Sequence, residues 1–199
     1  QGDRDHQRPA PAAGGDVSFL SGKLLVASRK LRDPNFTQTV VLMLEHTGEG
    51  ALGVVLNRLA DRTVRQVWQS IDAEPCENDQ DLNLGGPVRG PLIALHTAEP
   101  LADKAVLPGL FISMQREAVD RLVRQTDHPF RLYTGNAGWG GGQLEGELKA
   151  GGWHTSDTDA EDVFSDPADL WVRITRRIGL SIVLPGLDPD DAPDDPMVN

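Results

Sequence analysis

Two runs, residues 39–45 (TVVLMLE) and 51–57 (ALGVVLN), are apolar almost without interruption, and only His46-Thr47-Gly48-Glu49-Gly50 separates them. β-Branched arms joined by a short glycine-bearing connection predict a β-hairpin. Side chains alternate between the faces of a strand, so arms that lack polar alternate positions are buried on both sides. The hairpin therefore belongs in a barrel or in a sheet covered by helices. A chain of 199 residues, 39% of them hydrophobic, can build such a core, since domains of roughly 150 residues bury about two-thirds of their unfolded surface. The single cysteine, Cys76, excludes an internal disulfide framework and a cysteine-based zinc cluster, and suits a reducing cytoplasm. No apolar run approaches the roughly 18 residues of a spanning helix, and residues 1–16 lack a signal-peptide apolar core. The chain is expected to be soluble and cytoplasmic.

Short β-like runs and short helices alternate through the rest of the chain, with no internal repeat and no dividing linker. Strands are predicted over residues 23–27, 92–96, 110–113 and 130–133, with a closing strand at 181–184. Thr63-Val64-Arg65-Gln66 has capping-box spacing and opens a helix running to about Ile71. A polar loop over 72–81 holds Cys76 and leads to a turn at Leu84-Gly85-Gly86-Pro87-Val88. Residues 114–125 place Met114, Ala118, Val119, Leu122 and Val123 at helical spacing, opposite charged positions. The glycine-rich stretch 135–142 leads into a helix over 143–150 that Gly151-Gly152 ends. Asp166-Pro167 opens a last helix, with Leu170, Trp171, Ile174 and Ile178 as its buried stripe. Paired strands with irregularly inserted helices indicate an α+β domain over residues 19–186. Disordered tails are expected at 1–18 and 187–199. The opening Gln1-Gly2 reads as native sequence or as a scar of expression.

The formal net charge of −11 is localised. Asp157, Asp159, Glu161, Asp162, Asp166 and Asp169 follow one another without a basic residue, and Asp188, Asp190, Asp191, Asp194 and Asp195 crowd the C-terminal end. Outside these segments acid and base balance, so the body of the domain is neutral and carries no nucleic-acid footprint. The first segment reads as a solvated loop before a helix N-terminus. It fails as a calcium loop because Asp162 and Ala168 stand where glycine and a bidentate Glu are needed.

Candidate chemistry is sparse. The stretch 135–142 lacks the lysine and hydroxyl of a P-loop, so a tight turn is preferred over anion binding. Trp139, Gln143, Glu145, Glu147 and Trp153 gather polar and aromatic groups near it. His46 and His96 end strands, and hydrogen-bonded loop histidines are preferred over metal ligands there. Ser113 and Ser181 lack a glycine-flanked elbow. Cys76 lies between acidic neighbours that disfavour a thiolate. The arginine trios 58/62/65, 116/121/124 and 173/176/177 read as solvated faces, helix-end charges and ion pairs. No cofactor and no metal are expected.

Four stretches together resemble the bacterial YqgE/AlgH family. They are Gly22-Lys23-Leu24-Leu25-Val26-Ala27 with Asp33-Pro34-Asn35-Phe36; Val40-Val41-Leu42 with His46 and the run from Gly50 to Leu56-Asn57-Arg58; Leu84-Gly85-Gly86-Pro87-Val88; and Ala137-Gly138-Trp139 with Gly142-Gln143-Leu144-Glu145-Gly146-Glu147-Leu148 and Trp153. The resemblance runs from about residue 19 to 184. It implies one compact α+β domain with a barrel-like mixed β-sheet partly surrounded by helices, in a cytosolic bacterial protein. It supplies no reaction, and the label of transcriptional regulator attached to the family rests on no DNA-binding motif. Leu59 stands where the family commonly has proline, and Asn136 where it commonly has an aromatic. The expected function is binding or regulation without catalysis, at a site formed by Asn57, Gly85, Gly86, Pro87, Trp139, Gln143 and Glu145. A small molecule or a protein is the expected partner, and neither nucleic acid nor membrane is. The alternatives are an enzyme acting on a phosphorylated or acyl substrate at the glycine-rich loop, with Glu145 or His96 as acid/base, and a DNA-binding regulator.

Overall fold

A computed structural model describes residues 20–71 and 74–183. Its strands in chain order are β1 (Leu24–Ala27), β2 (Val40–Thr47), β3 (Gly50–Val55), β4 (Leu59–Thr63), β5 (Asp81–Leu84) and β6 (Ile93–His96). These are followed by β7 (Lys104–Leu107), β8 (Leu110–Ser113), β9 (Phe130–Thr134), β10 (Ala137–Gly140) and β11 (Trp153–Ser156). The helices are α1 (Val64–Ser70), α2 (Arg116–Arg124), α3 (Gln143–Lys149), α4 (Ala160–Phe164) and α5 (Leu170–Val183).

The predicted hairpin is β2–β3, turning at Gly48-Glu49, with a register shift between Met43 and Glu45. It forms the middle of a five-stranded antiparallel sheet ordered β10-β3-β2-β1-β11. A second, mixed sheet is ordered β4-β5-β9-β6-β8-β7, in which only β5 and β9 run parallel. The continuous apolar runs are explained by what covers each face. From the first sheet, Leu24, Val26, Val40, Leu42, Leu44, Val54 and Leu56 meet Ile93, Leu95, Leu110, Ile112 and Tyr133 of the second. The alternate residues Leu25, Val41, Met43 and Val55 point the other way, against Trp139, Leu144 and Trp153. The outer face of the second sheet, through Leu82, Ala94 and Leu132, is covered by Val64, Val67 and Trp68 of α1 and Val119, Leu122 and Val123 of α2. Helix, sheet, sheet and helix thus stack in layers, as apolar runs buried on both faces require. Val163 of α4 and Leu170 and Ile174 of α5 fill the inter-sheet core from one side. The barrel-like enclosure takes the form of two facing sheets, tied where the Val55 N–H donates to the Gly85 carbonyl at 2.8 Å.

Local signals are realised at the helix ends. The Gln66 amide bonds the Thr63 hydroxyl while the Gln66 side chain accepts the Thr63 amide, completing the capping box. Gly151, at φ +76, ends α3 in the left-handed conformation.

Several expectations are corrected. Residues 181–183 are helical rather than a closing strand; the Ser181 hydroxyl donates to the Ile178 carbonyl within the same helix, and Ile182, 72% exposed, has no sheet to pack against that would favour a strand. Leu184 lies outside the described residues. The last helix begins at Leu170, because Asp166 accepts the Ala168 amide and holds a turn over Pro167 first. The loop 72–81 ends in a strand, β5, and the glycine-rich stretch contains another, β10. The segment 157–169 is only partly a solvated loop, since α4 occupies its middle and Asp162 is 4% exposed. The tails expected at 1–18 and 187–199, with the acidic residues from Asp188 to Asp195, lie outside the described residues. Among the described residues no helix is long and apolar enough to cross a membrane.

Candidate functional site

The Gly85-Gly86-Pro87 turn sits where three chain segments cross. Gly85 donates its amide to the Thr134 carbonyl and accepts the Val55 amide, both at 2.8 Å. A Cβ on Gly86 (φ +148) would lie 2.3 Å from the Asn136 backbone, and one on Gly135 (φ +71) would lie 2.5 Å from the Gly86 carbonyl oxygen. Only glycine permits this approach. Just beyond it, Val88 and Asn136 exchange amide-to-carbonyl bonds of 3.0 and 2.9 Å.

The facing wall is the turn over residues 33–38. The Asp33 carboxylate accepts the Asn35 amide, and the Asp33 carbonyl accepts the Thr37 amide. Asn57 anchors the far end of this turn. Its side-chain oxygen accepts the Val40 amide at 2.9 Å, and its side-chain amide donates to the Gln38 carbonyl at 2.8 Å. Gln38 is the one non-glycine with positive φ (+56) among the described residues, a conformation these bonds hold in place. Arg58 donates to the Thr37 carbonyl at 2.7 Å. Between the two turns opens a cleft of about 570 Å³, lined by Pro34, Asn35, Val55 and Arg58 on one side and by Leu84, Gly86, Pro87, Val88, Arg89, Gly90, Thr134 and Gly135 on the other.

Trp139, Gln143 and Glu145 lie elsewhere. Phe36, in the middle of the 33–38 turn, points away from the cleft and stacks on Trp139 with centroids 6.0 Å apart, while meeting Trp153 edge-on at 5.5 Å. Glu147 accepts both indole N–H groups, from Trp139 at 3.0 Å and Trp153 at 2.8 Å, and its other oxygen accepts the Gln143 amide at 2.9 Å. The Gln143 side-chain oxygen accepts the Gly140 amide. Glu145 bonds the His46 imidazole at 2.9 Å, and its own backbone amide, then the imidazole, hold its carboxyl below the ordinary range. The structure therefore brings Gly86 and Pro87 into the cleft, puts Gly85 and Asn57 beneath its two walls, and gathers Trp139, Gln143 and Glu145 behind Phe36. Arg58, Arg89, Asn35 and Thr134, not among the expected site residues, also line the cleft; Asn35 and Arg58 belong to stretches that carry the family resemblance, and Arg89 directly follows one.

His96 and Glu145, the two acid/base candidates, do not come together: Glu145 lies on α3 against the first sheet and His96 on β6 of the second. His96 is fully buried on the second sheet, 2.9 Å from the Ser113 hydroxyl. Ser113 donates to the Leu101 carbonyl, so it accepts from His96 and is not activated as a nucleophile. Burial lowers the His96 pKa, outweighing the Ala98 backbone bond and Asp103. His46 and His96 sit in different sheets, and among the described residues no group of three His, Cys, Asp or Glu could hold a metal. Asp162 is bound by Arg173 at 2.7 Å and by Arg177 at 2.6 and 2.8 Å. Burial alone pushes its carboxyl up, but the Arg177 and Arg173 hydrogen bonds and charges outweigh that and hold it low.

A model of the AlgH-like family matches residues 24–183. A UPF0301 protein of Chlorobaculum tepidum is 39% identical over 165 residues, 79% of this chain and 86% of the relative. One from Myxococcus xanthus is 38% identical over 168 residues, 81% of this chain and 92% of the relative. The solution structure of the AlgH protein from Pseudomonas aeruginosa matches with a TM-score of 0.70 and 28% identity, over 88% of this chain and 98% of that one. The crystal structure of a protein from Corynebacterium diphtheriae shares the fold, with a TM-score of 0.65 and 24% identity over 87% and 90% of the two chains.

Proposed function

The chain belongs to the AlgH-like family, and from that premise we propose that it is a binding domain that takes a small molecule in the cleft between the 33–38 and 85–90 turns and catalyses no reaction of its own. The observation that carries this reading is the composition of the cleft wall. Its side chains are aliphatic, amide, hydroxyl and guanidinium groups, and it holds no carboxylate, imidazole, thiol, amine or phenol of the kind that serves as general acid or base. The volume of about 570 Å³ falls within the usual range for small-molecule sites. Both walls are fixed by backbone and Asn57 hydrogen bonds, so the cleft is preformed, which lowers the ordering cost of binding. A regulatory role follows if the bound molecule is a signal. The reading extends to a cytoplasmic location, because the buried, unpaired Cys76 suits a reducing compartment.

Catalysis at the glycine-rich loop by Glu145 or His96 is disfavoured, since Glu145 is bonded to His46 with its carboxyl held below the ordinary range and His96 is buried in the second sheet. Direct DNA binding is also disfavoured: the cleft offers two arginines, whereas non-specific affinity rests on many phosphate contacts.

Thermal-shift screening of a metabolite library tests the proposal. A ligand present at about 100 times its Kd adds about 2.7 kcal/mol to stability. Stabilisation should appear in the wild type and vanish in Val88→Trp, which fills the cleft from an exposed position. Equal stabilisation of both proteins would place the ligand elsewhere.

A further inference from the structure

Within this acidic chain the cleft is locally cationic. Arg58 and Arg89 line it, and no Asp or Glu does. Arg58 spends one donor on the Thr37 carbonyl, which fixes the guanidinium at the wall and leaves its other donors for a ligand. Arg89 is exposed at the rim. Neither arginine is paired with a carboxylate among the described residues. Arg65, Arg124, Arg173 and Arg177, by contrast, have carboxylate partners. The remaining wall is apolar, and Leu84 and Val88 are 43% and 46% exposed beside Pro34 and Pro87. Two unneutralised guanidinium groups beside an apolar wall are complementary to a molecule with an anionic head and a hydrocarbon body.

We propose, resting on the cleft as the ligand site, that its ligand is a small amphiphilic organic anion whose carboxylate or phosphoryl head is held between Arg58 and Arg89 and whose apolar part lies on Leu84, Pro87 and Val88. The head group takes charge-assisted hydrogen bonds from the arginines, and the apolar wall discriminates against bare inorganic anions.

Titration of the full chain with hexanoate, hexanamide and inorganic phosphate, followed at the backbone amides of Gly86, Val88, Arg89 and Gly135, tests this. Hexanoate should bind about tenfold or more tightly than its neutral isostere hexanamide, as expected for hydrogen bonds to a charged group, and more tightly than phosphate. Arg89→Gln, an exposed substitution that leaves the fold intact, should remove most of the preference for hexanoate. Equal affinities for hexanoate and hexanamide at these amides would overturn the anion assignment while keeping the cleft as a binding site. Tighter binding of inorganic phosphate than of hexanoate would overturn the amphiphilic one. No response to any probe, together with no stabilisation from the metabolite library, would overturn the binding reading itself.

Discussion

Gly86 and Gly135 come together backbone to backbone, so closely that a Cβ on Gly135 would lie 2.5 Å from the Gly86 carbonyl oxygen. That crossing forms the floor of the cleft. Gly135→Ala combines this collision with a positive φ of +71, and the conformational part alone costs about 1–2 kcal/mol. The variant should lose about 2 kcal/mol or more in urea denaturation, and the Gly86 and Val88 amide signals should move. Unchanged stability would mean that the crossing is looser than described.

Glu147 is the shared acceptor of Trp139 and Trp153. Glu147→Ala leaves two part-buried indole donors unsatisfied, and each such group costs about 1–3 kcal/mol when fully buried. A loss of about 2 kcal/mol is expected, with altered tryptophan fluorescence from the Phe36 cluster. Glu147→Gln keeps an acceptor and should recover most of the stability.

Asp162 is buried between two arginines that keep side-chain exposures of 38% and 30%. Removing one partner of a fully buried pair costs about 3–5 kcal/mol, so Asp162→Ala should cost about 2 kcal/mol at neutral pH, given that partial exposure. The native carboxyl titrates below its ordinary 3.8. Its contribution is therefore complete above that value and fades as pH falls through the lower native pKa. The stability gap between wild type and variant should narrow with acid in that window, and a gap independent of pH would contradict the ion-pair account.

Burial holds the native pKa of His96 below 6.5. The unfolded chain binds a proton there first. Stability is thus unaffected by this group above pH 6.5 and declines as pH drops from 6.5 towards the native pKa, below which the loss levels off. In denaturation series across this range, His96→Gln should show a shallower decline than the wild type.

The layered fold was legible where hydrophobic pattern decides the outcome. Val40 to Leu44 has only buried residues, and it lies between two sheets' worth of core on one face and α3 on the other. Edge strands were not legible. β4 reads Leu-Ala-Asp-Arg-Thr and has no buried position, so it carries no apolar alternation; β10 reads Ala-Gly-Trp-Gly and buries Ala137 and Trp139 alternately, but four residues with two glycines are too short a pattern to distinguish a strand from a turn. The candidate site was half visible. The Leu84-Gly85-Gly86-Pro87-Val88 turn was legible from its glycines and proline, but no spacing rule relates Trp139 to Gly86 in space. Phe36 separates them, and that division depends on which way a single turn points its ring. Asp162 was misread because its partners Arg173 and Arg177 are more than ten residues away, on another helix.

Backbone amide chemical-shift mapping of the full chain against a metabolite library tests the central claim most directly. The account predicts that shifts on binding centre on Gly86, Val88, Gly90 and Gly135, with smaller changes at Asn35 and Thr134. Shifts that leave these amides unmoved and cluster instead around residues 157–162 or the α1–α2 surface would contradict it.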